Sequence, residues 1–161
     1  MPIVMMRDGQ RQRLEVTTPA GPATMIMNTQ TGENYVITNA GGQLIVMRMT
    51  ADQFKDPAQE WSAELAANAR RTGSCSAAGE NGSEWTREEG GETHVVCITD
   101  DGIILRSAVA DSVSWETISV QRGPQSADLF ALPAGAQVMD LGDMGSAMQQ
   151  ALERAQAEGG Q

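Results

Sequence analysis

Turns bearing glycine recur along the first third of this chain at hairpin spacing, and nothing else in the sequence constrains its fold as strongly. Apolar-rich runs at 3–6, 11–17, 23–28, 34–38 and 43–49 are separated by Arg7-Asp8-Gly9-Gln10, Pro19-Ala20-Gly21-Pro22, the polar stretch 29–33 and Asn39-Ala40-Gly41-Gly42. Asp-Gly and Gly-Gly supply the positive φ that tight hairpins need, so the pattern predicts an antiparallel meander. Run 11–17 alternates, with Arg11, Arg13 and Glu15 opposite Gln12, Leu14 and Val16. Run 43–49 does not, which predicts a strand with apolar residues on both faces. Both faces then need a cover: a helix, a partner or a ligand.

The same reading places a helix over 57–71. Asp56 caps its free N–H groups and Pro57 fits its first position. Phe54, Ala58, Trp61, Leu65 and Ala69 share one side at helical spacing. Arg70 and Arg71 suit the C-terminal dipole and Gly73 the stop. Further strands are predicted at 74–77, 83–88, 93–99, 103–110 and 112–122, with Gly123-Pro124 ending the last. Residues 127–139 read as an irregular packed segment anchored by Leu129, Phe130 and Leu132. Residues 146–158 have helical composition with Met148, Leu152 and Ala155 on one face, and 159–161 read as a disordered end.

A length of 161 residues favours one domain, assigned to 1–145 and followed by a C-terminal helix and tail over 146–161. The formal charge is −10 and Lys55 is the only lysine. Neutralising phosphates takes clustered cations, so nucleic acid and anionic membrane surfaces are excluded as expected partners. No window is long and apolar enough for a membrane helix. The first ten residues lack the basic and apolar regions of a signal peptide, so either the chain is cytosolic or a leader has been removed.

Chemistry-bearing motifs are sparse. A zinc site takes four ligands, usually in close pairs. Cys75 and Cys97 are the only cysteines, far apart, and His94 is the only histidine, so neither a metal nor a cofactor is expected. The cysteines are either two buried thiols or one disulfide. The neighbouring strands 74–77 and 93–99 favour the disulfide, which would stabilise by roughly 3 kcal/mol in the chain-entropy model and imply an oxidising compartment. Asp100-Asp101-Gly102 lacks the later glutamate of a calcium loop and reads as a hairpin turn. Asp140 and Asp143 flank Leu-Gly with no nearby base or nucleophile and read as a solvated loop. There is no Gly-x-Ser-x-Gly elbow and no phosphate loop. The chain is therefore not expected to be an enzyme.

Arg11-x-Arg13-x-Glu15, Gly21-Pro22-Ala23-Thr24-Met25-Ile26 and Thr31-Gly32 before a Tyr-containing strand form one ordered set of motifs. Gly73-Ser74-Cys75 and the run Cys97-Ile98-Thr99-Asp100-Asp101-Gly102-Ile103-Ile104-Leu105-Arg106 continue it, and Arg122-Gly123-Pro124-Gln125, Leu129-Phe130 and Leu132-Pro133-Ala134-Gly135 end it. In this order, over roughly 3–140, the chain resembles the bacterial exported family catalogued as domain of unknown function 4412. The resemblance implies a fold similar to periplasmic lipoprotein carriers, a curved antiparallel sheet forming an unclosed half-barrel with helices over its concave side. It also implies an exported, oxidised envelope protein, and carries over no catalytic residues.

The expectation is thus an α+β half-barrel covered by the helix at 57–71, in a periplasmic or secreted protein. It would bind a hydrophobic ligand such as a lipid or lipoprotein acyl chain through Met25, Met27, Leu44, Val46, Trp61 and Leu65. The methionine-rich strands suit such a ligand, because seven of the ten methionines lie within the first fifty residues and methionine adapts to irregular apolar surfaces. The alternative is an envelope interaction module or homodimer that uses the apolar surface or an open sheet edge.

Overall fold

The computed structural model describes residues 2–50, 61 and 67–140. Among the described residues, eleven strands form two sheets, and the chain divides into two compact units. The first unit is Met1–Phe54 with Pro124–Gln161, and the second, Lys55–Gly123, is inserted between them in sequence.

The first unit's sheet runs β1-β2-β3-β4-β5-β11. Its meander comprises β1 (Ile3–Asp8), β2 (Arg11–Thr18), β3 (Gly21–Asn28), β4 (Glu33–Ala40) and β5 (Gln43–Met49), each antiparallel to the next. Gly9 and Gly41-Gly42 take positive φ at two of the turns, as the hairpin pattern requires. The chain returns as β11 (Val138–Asp140), parallel to β5. One face holds the core of Ile26, Ile37 and Val46. Among the described residues its cover is not a helix. Leu132 and Ala136, from the irregular segment leading to β11, pack on it beside Tyr35. A one-turn 3-10 helix, Ala127–Phe130, precedes them. Arg13 Nη1 donates to Leu129 O at 3.0 Å, and the Arg11 guanidinium lies 5.1 Å from the Phe130 ring centre. Two arginines of β2 thus hold the covering segment down.

The second unit's sheet runs β10-β9-β8-β7-β6, all antiparallel. Its strands are β6 (Arg70–Ala77), β7 (Glu80–Glu89), β8 (Glu92–Ile98), β9 (Ile104–Val109) and β10 (Ser112–Glu116). Trp61, Val96 and Ile98 form the core, with Ala69, Trp85 and Ile104 packed against it. Leu105, at a bulge in the β8–β9 pairing, is fully buried.

The expected α+β half-barrel is corrected by this arrangement. The strands divide between two sheets instead of curving as one. Among the described residues, helix is limited to Trp61 and the one-turn element at Ala127–Phe130. Most of the predicted helix 57–71 lies outside the described residues, but its end does not form: Arg70 and Arg71 pair with Thr86 and Trp85 in β6. Paired arginines suit a helix C-terminus and an exposed edge strand equally well, so the sequence signal was ambiguous. The helix predicted at 146–158 also lies outside the described residues. The strand predicted over 112–122 stops at Glu116. There Trp115 Nε1 and Thr117 Oγ1 both donate to Ile104 O, at 3.2 and 2.6 Å, and one last backbone bond, from Thr117 N to Leu105 O at 2.8 Å, follows the final ladder pair.

Cys75 and Cys97 are bridged, with Cα atoms 6.0 Å apart. They lie on β6 and β8, which are not neighbours; β7 runs between them. Two strand spacings of about 4.8 Å each would separate such strands further, so β6 and β8 close over β7 here. Gly82, opposite Cys75, occupies that point. A Cβ there would meet Ile98 O at 2.6 Å and Ile98 C at 2.9 Å. The bridge argues for an oxidising environment. No helix among the described residues is long and apolar enough to cross a membrane.

Candidate functional site

Of the six residues expected to line a ligand site, the four in the first unit do not share one face. Met25 and Met27 point to one face of the first sheet, Met27 buried and Met25 half-buried. Register places Leu44 and Val46 on the opposite face, because Val46 pairs with Ile37, which pairs with Thr24. Val46 is sealed in the core, whereas Leu44 is exposed. Trp61 belongs to the second unit's core, where the Arg87 guanidinium stacks 4.5 Å from its ring centre. Leu65 lies outside the described residues. An open cleft of about 470 Å³ in the second unit is lined by Asn68, Arg70, Thr86, Arg87, Glu88 and Glu89. Its lining of charged and polar groups does not suit an acyl chain. His94 sits within β8, paired to Arg87 and Val109.

The methionines instead form part of a row across the first sheet. Met5, Leu14, Met25, Val36, Met47 and Met139 are successive cross-strand partners and so share one face. The inner four are half-buried. The end residues, Met5 and Met139, are 42% and 37% exposed.

That row ends at the feature which stands apart from the rest of the surface, the outer edge of β1. Ile3, Val4 and Met5 are consecutive and 39%, 52% and 42% exposed, so the strand shows apolar side chains on both faces. Consecutive exposed apolar residues in a strand are ordinarily selected against unless they have a function. No described strand lies beyond β1. An edge strand presents unpaired N–H and C=O groups, and proteins blunt such edges with charge, bulges or brevity. The other three edges follow that rule. β6 opens with Arg70 and Arg71 and carries a bulge, β10 has five residues and a bulge, and β11 has three residues. β1 has six residues, no bulge and an apolar sequence up to Arg7.

Charge along the β1–β2 hairpin is mostly self-satisfied. Arg11 is ion-paired with Asp8, and Arg13 with Glu15 at 2.7 Å. Arg7 is exposed, and its described contact is a long hydrogen bond from Nε to Gly9 O at 3.4 Å. By contrast, Arg122 in the second unit is a structural latch. It donates to Glu80 Oε2 at 2.9 Å and to Asp101 Oδ1 at 3.1 Å, joining the β6–β7 and β8–β9 connections to the segment that follows β10. The Arg122 hydrogen bond, and then that from Thr99, hold the Asp101 carboxyl well below the usual carboxylate range.

Sequence reasoning passed over β1 because it weighed the methionine-rich strands as a sheet interior. The available signal was Ile3-Val4-Met5 itself, which does not alternate, in a run with a charged end only at Arg7-Asp8.

No family model and no curated protein matches the chain. Among solved structures it is similar to PNGF-II in two crystal forms. In the C2 form the identity is 11% over 86% of this chain and 27% of that chain, with a TM-score of 0.46. In the P21 form it is 12% over 87% and 30%, with a TM-score of 0.39. The chain therefore spans less than a third of those chains, and a likeness at these scores carries no argument about fold or function.

Proposed function

We propose that this protein is a non-enzymatic interaction module of the periplasm or cell exterior, which binds an extended segment of a partner along the outer edge of β1. The observation that carries the reading is the exposed run Ile3-Val4-Met5 on a six-residue edge with no bulge. Strand addition draws its affinity from main-chain hydrogen bonds, and alternate side chains give specificity. The rest of the sheet supports the edge, since Arg11 and Arg13 anchor the covering segment just behind β1. The disulfide supports the oxidising compartment, and the resemblance to an exported family supports export to it.

The test is an NMR titration with an acetylated, amidated Thr/Val hexapeptide. The expected result is amide shifts and slowed exchange confined to β1 and β2, abolished by Val4→Lys, which places a charge on the exposed edge. Shifts centred on β6, β10 or β11, or undiminished binding by the Val4→Lys protein, would overturn the reading.

A second reading is kept by the methionine row. A half-buried apolar row across the sheet, open at Met5 and Met139, suits a lipid or acyl chain lying across the strands. Native mass spectrometry of protein purified from its own cell envelope tests it. A lipid adduct that is lost in Met25→Glu, while the β1 titration is unchanged, would favour this reading over the first.

A further inference from the structure

The side chains of β1 also specify what sort of segment fits it. We infer that the partner segment is an antiparallel strand of the pattern acidic-x-apolar-x-apolar, read from its N-terminus, with the acidic residue opposite Arg7. The inference rests on strand addition at β1 and deepens it.

Residues directly opposite one another in an antiparallel pair point to the same face. Ile3, Met5 and Arg7 alternate along β1 and share a face, so an incoming strand meets Arg7, then Met5, then Ile3. Ile3 and Met5 are exposed apolar residues and call for apolar partners. Among the described residues Arg7 has no carboxylate partner, whereas Arg11 and Arg13 of the same hairpin have Asp8 and Glu15. Among the described residues, a carboxylate opposite Arg7 therefore completes the open charge on β1.

The same chemistry argues against a second copy of this chain. In any sheet-continuing antiparallel pairing of β1 with itself, like faces align, and Asp8 belongs to the face opposite Arg7. Arg7 would then meet Ile3, Met5 or another Arg7, never a carboxylate. Two chains of charge −10 also repel.

The experiment uses the full chain and two labelled peptides, Thr-Glu-Thr-Val-Thr-Val-Thr and its Glu→Lys counterpart, followed by fluorescence anisotropy in low salt. The expected preference for the Glu peptide is about fivefold, the order of an exposed cross-strand charge pair set against a like-charge pair. Arg7→Glu should invert the preference, and 0.5 M salt should flatten it by screening. Equal binding of both peptides, or a preference unchanged in Arg7→Glu, would overturn the inference while leaving strand addition at β1 intact. If neither peptide binds at β1, both readings fall. Concentration-dependent dimerisation that Val4→Lys abolishes would overturn it in favour of a second copy.

Discussion

Replacing Gly82 with alanine should destabilise the second unit, although glycine-to-alanine changes in strands ordinarily stabilise. Gly82 does not take a positive φ, so alanine can adopt its backbone conformation. Restricting the unfolded chain would then contribute about 0.4–1 kcal/mol in favour of the variant. Against this, the new methyl carbon would stand 2.6 Å from Ile98 O, 2.9 Å from Ile98 C and 3.3 Å from Thr99 N. All three are backbone atoms, one residue or two from Cys97, and the disulfide ties that backbone to β6. Relief requires shifting a strand, for which overpacking costs about 1–3 kcal/mol. The net expectation is a loss of about 1–2 kcal/mol. Gly73 is the internal control. It lies in β6 of the same sheet with no positive φ, and an added methyl would have nothing within 4 Å, so Gly73→Ala should be neutral to stabilising. Urea unfolding followed by tryptophan fluorescence reads this unit selectively, because Trp61, Trp85 and Trp115 all belong to Lys55–Gly123. In a Cys75→Ser/Cys97→Ser background β8 is free to yield, and the Gly82→Ala penalty should shrink. If Gly82→Ala matches or exceeds the parent in urea midpoint at unchanged slope, crowding is not what keeps this position glycine.

Removing the bridge with Cys75→Ser/Cys97→Ser should itself lower stability by about 3 kcal/mol in the chain-entropy model, read from the same urea curves. Trp61→Ala should cost about 3–5 kcal/mol as a large-to-small core change, and calorimetry showing less than about 1 kcal/mol would remove Trp61 from the core. Asp101 has a folded pKa below its unfolded value, so its contribution is present above the ordinary carboxylate range near 4 and is lost as pH falls through the folded value. Arg122→Gln should therefore be less stable than the parent at pH 7, and the gap should close on acidification below about pH 4. A gap that stays constant down to pH 2 would show that Arg122 does not act through Asp101.

Strand positions were legible in the sequence where turns are local. Gly9 and Gly41-Gly42 take the positive φ that their Asp-Gly and Gly-Gly context predicted, and the five runs of the meander became β1–β5. What was not legible depends on contacts between distant residues. β11 has three residues, too few to show alternation, and it pairs with a strand nearly a hundred residues earlier. The bridge was expected between neighbouring strands and instead spans β7, because proximity in space here comes from closure of the sheet over a glycine. For the site, residue type misled. The methionine-rich, apolar content of the strands suggested one lined surface, but Leu44 and Val46 fall on the other face from Met25 and Met27, since side chains alternate with a period of two. The non-alternating run Ile3-Val4-Met5 signals apolar side chains on both faces, but whether its strand is interior or at an edge is decided by pairing partners.

The bridge over β7 also sets how the second unit would respond to mechanical load. Cys75 and Cys97 are 22 positions apart in the chain. A force applied through the backbone enters at one sulfur and leaves at the other, bypassing the β7 hairpin. In single-molecule pulling, that segment stays hidden, and the released contour is shorter by about 70 Å, from roughly 3.4 Å per residue, until a reductant is added. A partner tugging on this module in an oxidising compartment would extend the flanking strands but not draw out the strand beneath the bridge.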